Sequence, residues 1–66
     1  MQHDWVEFIT VTGQQVSLNL HHIIKVSRGL GATTYVTHSW VYGEPVEIHV
    51  NESYDDVMAR LLEYEE

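Results

Sequence analysis

Cysteine is absent from the 66 residues. Disulfides and thiolate zinc sites are therefore excluded. Basic residues are scarce: three Lys and Arg stand against ten Asp and Glu, a formal charge of −7. Such a balance repels phosphate backbones and anionic membrane surfaces, so neither nucleic acid nor membrane is expected as a partner. No apolar run approaches the ~20 residues that a spanning helix needs. Met1-Gln2-His3-Asp4 shows no basic stretch followed by an apolar one, so no secretory signal is expected and the expected location is cytoplasmic. Repeats, linkers and low-complexity stretches are also lacking.

What remains is one domain, residues 1–66. A chain this short has a thin stability margin. Small scaffolds add disulfides, a metal or a partner subunit. Self-association needs the least special chemistry, so a homo-oligomer is expected.

Periodicity supplies the fold class. Trp5, Glu7, Ile9 and Val11 alternate with Val6, Phe8, Thr10 and Thr12, which predicts a strand with apolar groups on both faces. Gly13-Gln14-Gln15 reads as a turn. Val16, Leu18 and Leu20 then alternate with Ser17 and Asn19, a half-buried strand that forms a hairpin with the first. His21-His22-Ile23-Ile24 fits either one helical turn or direct entry into a strand. Ile24 to Ser27 looks extended, and Gly29-Leu30-Gly31 closes a turn. Thr33 to Val41 is extended, Gly43-Glu44-Pro45 ends it, and Val46, Ile48 and Val50 alternate in a last strand.

The final segment predicts a helix from about Tyr54 to Tyr64. Ser53 can cap it, with Asp56 three residues on. Tyr54, Val57, Met58, Leu61 and Leu62 form one apolar stripe. The fold class is therefore α+β: a small antiparallel β-sheet of four to five strands with one C-terminal amphipathic α-helix. One helix cannot cover both faces of such a sheet. The uncovered face is expected to carry some combination of Trp5, Phe8, Tyr35 and Trp40, and Trp40 and Tyr42 flank the longest turn as loop-tip anchors; these five are the expected interaction residues. A sheet curled strongly enough to close on itself is the alternative.

Several residues resemble a known family. Gly13, Val16-Ser17-Leu18-Asn19, Ile23-Ile24 and Val26, then Val50-Asn51-Glu52-Ser53, Asp56-Val57, Leu61 and Glu63-Tyr64 follow a shared pattern. It is similar to that of the small FlbD-like flagellar proteins, also called the SwrD or YlzI type. The likeness covers about residues 8 to 64. It implies a bacterial cytoplasmic accessory protein supporting flagellar motor output, with no catalytic residues to carry over. This chain adds a Trp-bearing N-terminal extension and a longer hairpin from His38 to Pro45, and it is more acidic.

Chemistry-bearing constellations are few. Ser17, Ser27, Ser39 and Ser53 stand in no G-x-S-x-G elbow. Asp55 and Asp56 are helix neighbours and diverge. Gly29-Leu30-Gly31 lacks the Lys of a phosphate loop. No enzyme and no cofactor are expected. Five histidines raise the question of metal. A last hairpin centred on Gly43-Glu44 would set His38 opposite His49, close enough for the two imidazoles to share an ion, and Trp40 opposite Glu47, which could supply a third ligand. A loop one residue different would dissolve that site, so no metal is expected, with His38 and His49 the only candidates. The function read from the sequence is a non-catalytic protein–protein interaction module that binds itself and an unidentified protein. The first form is an FlbD-like accessory. The alternative is a phage- or plasmid-type acidic inhibitor, decoy or ligand-sequestering oligomer.

Overall fold

The structure, a computed structural model, describes residues 4–39 and 43–63. Five strands and one helix follow in order: β1 (Trp5–Ile9), β2 (Gln15–Asn19), a single 3-10 turn (Leu20–His22), β3 (Ile23–Arg28), β4 (Thr34–His38), β5 (Val46–Val50) and α1 (Tyr54–Leu62). The strands are antiparallel and form two sheets, β1-β2 and β3-β4-β5. The α+β expectation holds, with five strands split between two sheets.

Local chemistry explains most boundaries. Gly13 turns β1 into β2 with φ +90, a backbone conformation that glycine takes without strain. The Asn19 side chain accepts from the His21 N–H at 2.9 Å and caps the 3-10 turn, so His21 and His22 are helical and Ile23 begins a strand. Ser53 caps α1 by accepting from the Asp56 N–H at 3.2 Å, with Asp55 and Asp56 in the first turn. Of the two turn glycines after β3, Gly31 has positive φ (+62). Gly29 serves close approach instead: a Cβ there would lie 2.5 Å from Thr33 Oγ1.

The two sheets face each other across one core. Val6 and Phe8 of β1, Leu18 of β2, Val36 of β4, Val50 of β5 and Val57 of α1 are all buried in it. The inner face of β3-β4-β5 is therefore covered by the β1-β2 hairpin as well as by the helix. This corrects the expectation of an inner layer supplied by the helix alone. Phe8, expected on an interaction face, is 1 % exposed. Both faces of β1 are apolar, so alternation by itself could not say which one turns inward.

Three fastenings hold the hairpin to the larger sheet. At one corner Thr10 bridges to Val50, with the Asn51 N–H donating to Ile9 O at 2.8 Å and the Val11 N–H to His49 O at 3.1 Å. At a second, the Asn19 N–H donates to His38 Nε2 at 3.2 Å. Along the remaining flank Arg60 of α1 lies over the Phe8 ring, donates to Glu7 O, and pairs with Glu52 Oε2 at 2.6 Å. Among the described residues no helix is long and apolar enough to cross a membrane.

Candidate interaction surface

Strand parity decides which side chains face out. On β1 Val6 and Phe8 point inward, so Trp5, Glu7 and Ile9 point outward. Val11 continues that row. Trp5 is 59 % exposed, and Ile9 and Val11 are each exposed by more than two-fifths. On β2 the facing residues are Asn19, Ser17 and Gln15, all polar and uncharged. Glu7 is the one charge in the row from Trp5 to Val11, and its carboxylate accepts from Gln15 Nε2 at 3.1 Å. From Trp5 to Val11 the row extends about 20 Å, at ~3.3 Å per residue.

The row does not end at Val11. Because Val11 N–H donates to His49 O, the outward side of β1 continues onto the outward side of β5. There His49 is paired with Tyr35 on β4, and the two rings stack at 4.2 Å with 13° between planes. Thr33 orients the imidazole. Its hydroxyl donates to Leu30 O at 2.6 Å, and its oxygen lies 2.9 Å from His49 Nε2. With the hydroxyl hydrogen already used, Nε2 must be the donor, which leaves Nδ1 of the neutral ring as an acceptor. Gly29 makes room for this: a Cβ there would stand 3.2 Å from His49 Nε2. The result is a half-buried aromatic pair with a fixed tautomer, at one end of an apolar stripe.

The surface suits contact binding. It offers aromatic and aliphatic area on rigid strands, with few charges to desolvate, and such groups anchor protein interfaces. Among the described residues no group of three or more His, Asp or Glu is placed to hold a metal ion.

The sequence candidates fall in different places. Trp5 and Tyr35 lie on the outward surface. Phe8 lies in the core. Trp40 and Tyr42 lie outside the described residues. Ile9 and Val11 also belong to the surface: alternation groups them with Trp5, and the burial of Phe8 on the other face shows that theirs turns outward. His38 and His49 do not meet. The observed register pairs His38 with Val46, three residues before His49. An odd slip reverses the face. His38 is therefore inward and 2 % exposed, while His49 is outward.

His38 does something else. Burial, and secondarily the neighbouring charge of His22, push its pKa below the ordinary 6.5. Its ring stacks on His22 with centroids 5.7 Å apart. Since Nε2 accepts from the Asn19 N–H, the neutral ring carries its proton on Nδ1.

No family model matches the chain, and no curated protein or solved structure matches it.

Proposed function

We propose that this chain is a non-catalytic protein-interaction module, and that its binding face is the outward row Trp5, Ile9 and Val11 together with the Tyr35–His49 stack. The observation that carries the reading is the continuity of that row across the β1–β5 junction. It puts the exposed Trp5, Ile9 and Val11 beside the half-buried Tyr35–His49 stack on one surface. Exposed apolar patches on small proteins mark interaction sites. A cytoplasmic, FlbD-like accessory role is the form this module takes here. The residues that carry that likeness, Leu18, Asn19 and Ser53, serve the core, a turn cap and a helix cap. Such core and capping roles recur in many folds, and fold alone does not assign function.

The net charge of −7 favours a second reading, an acidic decoy that occupies a basic surface. The two readings separate in one experiment. A tagged chain and its Ile9→Lys/Val11→Glu variant are used to capture partners from the native host at rising salt. The face reading expects capture that survives 0.5 M salt and is lost in the folded variant, since apolar contact is screened little while exposed ion pairs are screened strongly. Capture by the variant equal to that by the parent chain would overturn it. Loss with salt alone would favour the decoy.

A further inference from the structure

The four strand edges are treated very differently. The outer edge of β1 is occupied: Arg60 takes Glu7 O, and Asn51 and His49 take Ile9 and Val11. The outer edge of β5 shares that junction only from His49 onward, and the rest of the strand carries the charged Glu47. The outer edge of β3 carries Lys25 and Arg28, and its register shifts between Ile23 and Lys25. Cations and bulges are the usual devices that stop an edge from pairing. The outer edge of β2 has none of them. Gln15, Val16, Ser17, Leu18 and Asn19 include no charge, no proline and no register shift.

The hydrogen-bond pattern defines what that edge offers. The Leu20 N–H donates to Asp4 O and the Thr10 N–H to Gln14 O, so even-numbered residues of β2 bond to β1. Gln15, Ser17 and Asn19 therefore point their backbone groups away from β1. The Asn19 N–H is already taken by His38. Among the described residues nothing bonds to the outward backbone groups of Gln15 and Ser17, so these two are the available edge, bounded by the turn at Gly13 and by His38.

We infer that this edge pairs with the same edge of a second copy, antiparallel about a two-fold axis at Val16. That axis sets Gln15 opposite Ser17 of the second copy, and Ser17 opposite its Gln15. Each pair exchanges two backbone hydrogen bonds. The arrangement is self-complementary in side chains as well. Gln15 and Ser17 meet on the outward surface, and Val16 meets its own copy on the inward one. A second copy is favoured over a foreign strand for two reasons. The contact carries no charge, so two chains of −7 meet at their least repulsive place. Across two intervening strands the Glu7 carboxylates stand ~14 Å apart, beyond the Debye length of about 8 Å at physiological salt. A domain with so small a core also gains from a partner subunit. This edge is distinct from the Trp5–Tyr35 face, so the two proposals stand or fall separately.

The absence of cysteine makes the test direct. Sedimentation equilibrium of the full chain should show mass rising from 7.7 kDa toward twice that value with concentration. Ser17→Pro removes an N–H that no other described residue uses, and Ser17→Lys places like charges side by side. Each should weaken dimerisation at least about tenfold, roughly 1.4 kcal/mol, with unchanged circular dichroism. Val16→Cys should oxidise to an intermolecular disulfide, because opposed residues that share no hydrogen bond lie about 4.5 Å apart. Trp5→Ala should leave the dimer intact. A monomer mass at all concentrations overturns the proposal. So does a folded Ser17→Lys chain that dimerises like the parent, or a dimer in which Val16→Cys does not cross-link.

Discussion

The hairpin is held to the larger sheet by two side chains of opposite character, Arg60 and His38. Arg60 is a permanent cation at a half-open flank. It satisfies three partners at once: the Glu7 carbonyl, the Glu52 carboxylate and the face of Phe8. His38 is a buried, neutral acceptor that holds a single backbone N–H. Arginine suits the first place because its planar fork donates in two directions while stacking on a ring. Histidine suits the second because an unprotonated ring nitrogen can accept, which neither Lys nor Arg can do.

The largest expected effect comes from breaking the arginine side. Arg60→Met keeps the aliphatic stem but leaves Glu52 without its cation. Glu52 Oε1 already has no hydrogen-bond partner among the described residues, so the carboxylate would be stranded. A loss of about 2–3 kcal/mol is expected in urea unfolding, within the range for breaking a part-buried pair. A loss below ~1 kcal/mol would show that the flank is held by apolar packing alone.

The histidine side predicts a smaller, pH-dependent effect. Protonating His38 removes the lone pair that accepts from Asn19. Its folded pKa lies below the ordinary 6.5, so its contribution is fully present above that value and is lost as pH falls through the lowered one. The expected loss is about 1 kcal/mol, seen as a fall in Tm of ~4–8 °C between pH 7.5 and pH 5. His38→Leu should be less stable at pH 7.5 and should flatten the profile. A profile unchanged by that substitution would assign the acid sensitivity to other groups.

The smallest expected effect sharpens the comparison by touching only the helix that delivers Arg60. Ser53→Ala removes the cap on the Asp56 N–H and should cost about 0.5–1 kcal/mol. Combined with Arg60→Met it should cost less than the sum of the two, because an undocked helix has less to lose from fraying. Strict additivity would mean that the cap and the arginine act independently.

How much was legible can be read from particular residues. The β2 alternation, the Ser53 cap and the stripe through Val57 and Leu61 are local signals, and the structure carries them in place. Three features were not local. Phe8 and Trp5 differ only by strand face, and β1 is apolar on both. The β4–β5 register is not fixed by the alternation of either strand, and a slip of three residues separated His38 from His49. Arg60 meets Glu7 across 53 positions of sequence, and no pattern along the helix announces that contact.

The sequence by itself determined the element types, the helix cap, the absence of any cysteine chemistry and an acidic surface. These follow from backbone propensity, side-chain period and charge, which act over a few residues or over composition as a whole. The tertiary structure alone decided which face of β1 is core, which histidine is buried, that Val11 bonds to the strand bearing the Tyr35–His49 stack, and that no described residue pairs with the outer edge of β2 at Gln15 and Ser17. Those depend on register and on the crossing of two sheets, where one residue of slip exchanges inside for outside.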